Sequence, residues 1–261
     1  MNRRHFLLLS AAISASADSE TIPIVDGVPC VDFHAHAGEG VTVEAALELS
    51  KKRGVKLGLL QHGGVRQAMA NDDQLRAWVR SLEGKPVFKG MQAEGVDWMS
   101  AFSKRAVAEL DYVLSDALTM PDKSGALVKI YAPEFRCDDA QRFMDRYIDF
   151  HLEVLAKEPL DILANPTFLP IVLQPQFDTL WTERRMRTVV DAVVKHGVAI
   201  EINSRYRVPR LPFLEMAKAA GAKFSFGSNE HGAEKIGNID YCVEMYRKLD
   251  LTMTNFFQPH I

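Results

Sequence analysis

The feature that most constrains this chain is an alternation of short apolar runs with longer amphipathic ones, repeated about seven times between Cys30 and Leu251. Cys30 to Phe33, Val55 to Leu60, Val87 to Ala93, Tyr112 to Leu114, Asp161 to Ala164, Val198 to Ile202 and Lys223 to Phe226 read as strands. Val43 to Arg53, Asp72 to Leu82, Trp98 to Leu110, Asp138 to Lys157, Thr182 to His196, Pro212 to Ala220 and Ile239 to Lys248 read as helices. Gly54 stops the first helix, and Asp72 and Asp73 place acidic side chains in the first turn of the second. Strand–helix alternation predicts a parallel sheet covered by helices, and seven such units favour a closed barrel over an open sheet. The predicted fold class is α/β, a distorted (β/α)7 TIM-like barrel in a single domain. Thr119 to Arg136 reads as a loop, and Thr252 to Phe256 as one last strand.

The chain has 261 residues, 47% of them hydrophobic and 25% charged, enough for a sizeable core without a disulfide scaffold. A net charge of -3 gives no electrostatic footprint for a nucleic-acid partner. Cys30, Cys137 and Cys242 form no CxxC pair and read as core thiols. Residues 1–17 are set apart as a sorting signal. Arg3 and Arg4 open it, Phe6 to Ile13 is apolar but too short to span a bilayer, and Ala15-Ser16-Ala17 offers a cleavage site before Asp18. The run Arg3-Arg4-His5-Phe6-Leu7 resembles a twin-arginine signal, which implies a bacterial protein exported to the periplasm or beyond. The barrel is then residues 18–261, with no stable membrane insertion once the signal is removed.

In a βα-barrel the C-terminal strand ends share one face, where active sites sit. His34 and His36 end the first predicted strand, His62 the second and Glu94 the third; Asn165, Glu201 with Asn203, and Asn229 with His231 end the fifth, sixth and seventh. Imidazole and carboxylate are the ligand set of zinc, manganese or iron. A lone His-x-His pair says little, but four histidines and a glutamate at strand ends point to a metal. His151, mid-helix, and His196, before Gly197, are read as structural. Arg205, Arg207 and Arg210 follow the sixth strand, and Lys129 and Arg136 lie near the loop after the fourth; a guanidinium there suits phosphate or carboxylate. Phe168, Phe177 and Trp181 are candidates for shaping the pocket mouth.

Val31-Asp32-Phe33-His34-Ala35-His36 resembles the opening motif of the polymerase and histidinol phosphatase (PHP) superfamily. Lys56 to His62, Gly90 to Glu94, Asp111 to Ser115, Asp161 to Pro166, Ala199 to Asn203 and Phe226 to His231 resemble its later motifs in order. The resemblance implies a distorted seven-unit barrel, a metal-dependent phosphoesterase and a small-molecule substrate. It also marks departures: the family pattern has Asp at Gln61, His near Leu118, His at Asn165 and Asp at Asn229. With acidic ligands lost, the expectation is one divalent ion or two rather than three. His34, His36 and Glu94 are the core ligands, with Asn229 a weak oxygen ligand. His62 and His231 either hold a second ion or donate protons, and Arg205 binds the phosphoryl group. Asp116 and Glu230 are candidates for replacing lost negative charge. Two other readings stay open: a hydrolase or lyase of a non-phosphate bond, and a barrel that binds without catalysis.

Overall fold

The computed structural model describes residues 21–260 except 39, 158 and 233. The expected signal over 1–17 and its cleavage point lie outside the described residues. Seven strands form the barrel wall: β1 (Val31–His36), β2 (Lys56–Leu60), β3 (Val87–Ala93), β4 (Tyr112–Ser115), β5 (Ile162–Leu163), β6 (Ala199–Asn203) and β7 (Phe224–Gly227). Each pairs in parallel with its neighbour in that order. The helices are α1 (Val43–Arg53), α2 (Asp72–Leu82), α3 (Lys104–Val107), α4 (Ala140–Lys157), α5 (Phe177–Leu180), α6 (Glu183–His196), α7 (Leu211–Ala219) and α8 (Asp240–Lys248). The architecture is the nearly closed, parallel α/β barrel that the alternation predicted.

The helices begin and end where the sequence supplies caps. Thr42 accepts from the Ala45 amide and Thr182 from the Arg185 amide, while Gly54 and Gly197 take the left-handed conformation that ends α1 and α6. The barrel closes between β1 and the segment after β7, where the His36 amide donates to the Glu230 carbonyl at 3.1 Å. Asp32 secures this seam. Its fully buried carboxylate accepts from the His34 amide, the Ser228 amide, the Ser228 hydroxyl and the Gly237 amide at 3.0, 2.9, 2.6 and 2.9 Å.

The register of β1 shifts between Asp32 and Ala35. Such a bulge re-aims side chains, and here two consecutive residues reach the interior. Phe33 packs against Phe88, Tyr112 and Phe257, while His34 reaches Gln92 on β3 and Glu201 on β6. Phe33 therefore belongs to an aromatic plug at the N-terminal end and His34 to the polar mouth. The plug needs glycine at two places. A Cβ at Gly58 or Gly90 would run into the Tyr112 ring, whose hydroxyl donates to the Phe33 carbonyl at 2.8 Å.

Three expected elements differ. The helix expected over Trp98 to Leu110 is a 3-10 turn, Trp98–Ala101, followed by α3. Phe102 is extended between them, because Ser103 caps α3 and donates from both its amide and its hydroxyl to the Asp72 carboxylate. The expected loop over Thr119 to Arg136 contains a hairpin, Thr119–Pro121 against Leu127–Lys129. Asp122 accepts from Ser124 and Ala126 across its turn, which Gly125 completes at φ 86. The expected strand over Thr252 to Phe256 is a 3-10 turn, Met253–Asn255, with a capping box; Phe256 alone bridges to Phe224.

His151 is fully buried, with Nδ1 2.8 Å from the Tyr147 carbonyl. Cys30 and Cys242 are buried thiols, as expected, whereas Cys137 is half-buried. Among the described residues, no helix is long and apolar enough to cross a membrane.

Candidate metal and active site

The C-terminal strand ends carry two adjoining groups of polar side chains, with the His34 and His36 rings 5.2 Å apart where they meet. On one side stand His36 from β1, His62 just past β2 and His231 just past β7. One ligand atom of each lies within 4.8 Å of the others. Their rings are nearly parallel: His36 and His231 have centroids 4.0 Å apart, His36 and His62 4.8 Å, His62 and His231 6.0 Å. Burial falls across the trio, from buried His36 to half-buried His62 to exposed His231, so the site opens to solvent.

Protonation follows from this crowding. Burial, then the neighbouring His34, His231 and His62, holds the His36 ring well below the ordinary histidine range. Burial, then His34, His62 and Arg205, lowers His231 to about 4. Both rings are neutral at pH 7, the form a metal requires. The buried Nε2 of His36 has no hydrogen-bond partner, and a buried polar atom without one is costly unless something fills the role. Glu94 at the end of β3 stands behind His62, its Oε1 2.8 Å from Nδ1. That bond leaves His62 Nε2 turned to the mouth and fixes the ring, as carboxylates behind metal-bound histidines do. Donor type, spacing and protonation state all fit a divalent cation.

The other side of the mouth is saturated. His34 faces acceptors with both ring nitrogens, Nδ1 at 2.6 Å from Glu201 Oε1 and Nε2 at 3.1 Å from Gln92 Oε1. The Gln92 orientation is fixed because its Nε2 donates to Glu94 Oε1 at 3.1 Å. Burial would lower the His34 pKa, but Glu201 outweighs it through charge and hydrogen bond, helped by Asp116 and Asp32, and the net shift is upward. Both ring nitrogens of His34 are thus already engaged with protein oxygens. The second oxygen of Glu201 accepts from the Asn165 amide at 2.9 Å and from Asn203 Nδ2 at 3.0 Å. Gly227 makes room for this pair, since a Cβ there would collide with Glu201 and sit 2.8 Å from the His34 Cβ. Asn165 in turn donates to Asp116 at 3.0 Å and accepts from Asn229 at 3.3 Å. Asn165 and Asn229 both sit at φ 49, a left-handed conformation that asparagine tolerates better than most side chains.

The expected site residues therefore converge on the mouth, where their contacts differ. His36, His62 and His231 form the trio. His34 and Glu94, expected as core ligands, stand behind it in hydrogen bonds, and the Asn229 side chain is turned to Asn165. Glu201 reaches the interior as the acceptor for His34. Arg205 donates to the Asn229 carbonyl at 2.9 Å and lies 3.4 Å from Glu230, beside His231. Arg207 and Arg210 lie further out, paired with Glu244 and Asp178. Lys129 and Arg136 line a separate cleft under the hairpin. Trp181 is buried against Tyr147 and Phe213, while Phe168 meets Tyr206 and Phe177 lies under Arg210.

Residues that sequence reasoning passed over are Asp32, Gln92 and Tyr206. Gln92 had a signal, lying two residues before Glu94 on the same face of β3. Asp116, expected only to replace charge, is pushed up to about 6 by burial, with the charge of Glu94 adding to it.

Fold and site together define a parallel βα-barrel with a histidine-lined mouth, and known proteins share that fold. The chain superposes on histidinol phosphate phosphatase from Lactococcus lactis subsp. lactis Il1403, solved with zinc, L-histidinol and phosphate, at a TM-score of 0.59. The match covers 84% of this chain and 93% of that one at 13% sequence identity. In sequence it is 26% identical over 241 residues to a protein of Shewanella oneidensis named "Probable phosphatase", covering 84% of this chain and 83% of that protein. A "Probable phosphatase" of Aeromonas salmonicida is 24% identical over 233 residues, covering 81% and 82%. No family model matches the chain.

Proposed function

We propose that this protein is a metal-dependent phosphoesterase of the PHP type, acting on a small-molecule phosphate monoester. The observation that carries the reading is the trio His36, His62 and His231, whose ligand atoms lie within 4.8 Å of one another at the barrel mouth. The names of the sequence relatives and of the structural neighbour support the reaction class.

The trio would hold one divalent cation, zinc, manganese or iron, through His36, His62 Nε2 and His231. When bound, such an ion supplies Lewis acidity and makes water a nucleophile near neutral pH. The remaining steps fall to the chain's own residues. Glu94 keeps the proton on His62 Nδ1 and so holds that ring in one tautomer. Arg205 is anchored through one nitrogen to the Asn229 carbonyl, which leaves its other donors to bind phosphoryl oxygens in a planar fork. Asp116, pushed up to about 6 chiefly by burial, is our candidate for protonating a leaving alkoxide. The expected proton-donor role passes to it from His62 and His231, which belong to the trio. The loss of acidic groups on the Asn165 side argues for one ion rather than two. Export through the Arg3-Arg4 segment is part of the same proposal.

The test is hydrolysis of a panel of phosphate monoesters by zinc-, manganese- or iron-loaded protein, beside Arg205→Ala. Activity that needs the metal and falls about 10- to 100-fold in the variant supports the reading. Metal-loaded protein that cleaves no phosphate ester but opens lactones or amides supports hydrolysis of another bond instead.

A further inference from the structure

We propose that a groove beside the mouth, between the loops after β5 and β6, binds a flat, π-rich group bearing a carboxylate or phosphate. The groove has a volume of about 400 Å³. Its walls include Phe168, Phe177, Tyr206 and Tyr241, and its charges are Arg207 and Arg210. Four aromatic rings in one concave surface favour a planar occupant. Two guanidinium groups give that occupant a negative charge.

The groove is built rather than incidental. Each guanidinium rests on a ring: Arg210 lies 3.7 Å from the Phe177 centroid and Arg207 4.5 Å from the Tyr241 centroid. Stacking fixes the plane of the cation and leaves its edge donors for a ligand. The loop that carries Arg207 is pinned at its base, because the Asn203 amide donates to the Val208 carbonyl at 2.7 Å and the Val208 amide returns a bond at 3.3 Å. Arg207 itself holds φ 52, a left-handed conformation that is unfavourable for a non-glycine residue. Tyr241 steadies the far wall by donating to the Pro209 carbonyl at 2.7 Å.

The protein partners of both cations are replaceable. Arg207 pairs with Glu244 and Arg210 with Asp178, and those carboxylates are 51% and 88% exposed. Pairs this exposed contribute little, so a ligand anion takes their place at small cost.

Tyr206 joins the groove to the catalytic mouth. Its amide donates to Asn203 Oδ1 at 3.0 Å, the Phe168 ring meets it edge-on at 4.7 Å, and the Arg205 guanidinium lies 5.4 Å from its centroid. A substrate with its phosphoryl group at Arg205 extends past Tyr206 into the groove with its alcohol portion. The predicted substrate is a phosphate monoester whose leaving group is an aromatic ring bearing a second acid. This substrate assignment rests on the phosphoesterase reading; the binding assignment does not.

The experiment measures 2-naphthoate and uncharged 2-naphthamide binding by titration calorimetry in the presence of zinc. Three proteins are compared: wild type, Arg207→Ala Arg210→Ala, and His36→Ala His62→Ala, each checked for unchanged circular dichroism. The expected result is a saturable site preferring the acid by about tenfold. The preference persists in the histidine variant and disappears in the arginine variant. Equal binding of acid and amide, or a preference that survives loss of both arginines, overturns the proposal. A preference lost in the histidine variant alone also overturns it, because the acid is then on the metal. In kinetics, 4-carboxyphenyl phosphate should exceed phenyl phosphate in kcat/KM by about tenfold, and the arginine variant should level the two. Naphthoate binding without any phosphate-ester hydrolysis would leave the groove standing and remove the phosphoesterase reading.

Discussion

The two sides of the barrel mouth are built from similar side chains and do opposite things. On one side, His36, His62 and His231 crowd together, burial and mutual repulsion hold His36 and His231 below the ordinary histidine range, and a buried nitrogen of His36 has no partner. Beside them, His34 and Glu201 make a fully buried 2.6 Å hydrogen bond, and Asn165, Asn203, Asn229 and Asp116 bond to one another or to that pair. The first side has ligand atoms to offer. The second has already used its own. A histidine at a strand end is therefore not by itself a ligand; what decides is whether both of its nitrogens face acceptors.

This contrast makes separable predictions. The largest effect should come from His36→Ala His62→Ala, which removes two of three donors. Activity should fall by about 10³-fold or more, while stability in urea changes by only about 1 kcal/mol. A large loss of stability with activity retained would mean that the trio is structural.

Glu201→Ala should show the reverse. It leaves buried His34 without its Nδ1 partner and strips acceptors from Asn165 and Asn203, so urea unfolding should show a loss of about 3–5 kcal/mol. Metal content of the folded fraction should be unchanged. Loss of the metal with stability intact would break the division between the two sides.

A third prediction sharpens the comparison by pH. His151, outside the mouth, is lowered by burial from the ordinary 6.5 to about 4. Because the folded state holds that proton less readily than the unfolded chain, its stability contribution is complete above 6.5 and is lost as pH falls towards 4. The amount is on the order of 3 kcal/mol. Urea melts at pH 7 and pH 4.5 should show that loss in wild type and a shallower pH dependence in His151→Leu. An unchanged slope in the variant would remove His151 as the cause.

The smallest effect is expected from Glu94→Gln, which keeps the shape behind His62 but weakens its orienting bond. Competition with a chelator should show metal affinity lower by about 10- to 100-fold, not abolished. Abolished binding would make Glu94 a direct ligand.

Much of this arrangement was legible in the sequence because it follows from local pattern. The bounds of α1, α2 and β3 coincide with their apolar periodicity, and Thr42, Gly54 and Gly197 cap where their chemistry allows. Placing His34, His36, His62, Glu94 and His231 at one barrel face needed only strand direction. The division among them was not legible. It depends on Glu201 meeting His34 across 167 residues, and on a bulge that turns Phe33 and His34 inward together. Asp32 reads as an ordinary strand polar residue until Ser228, 196 residues away, arrives beside it. The hairpin after β4 was missed although Asp122 and Gly125 signalled a turn, because its strands are three residues each and carry no clear alternation.

The most direct test of the central claim is metal stoichiometry by elemental analysis, with zinc X-ray absorption on the same samples, in wild type, His34→Gln and His36→Ala His62→Ala. The account predicts about one equivalent in wild type with a histidine-rich coordination shell, metal retained in His34→Gln, and none in the double variant. Metal lost from His34→Gln while retained in the double variant would contradict it, and would move the ion to His34.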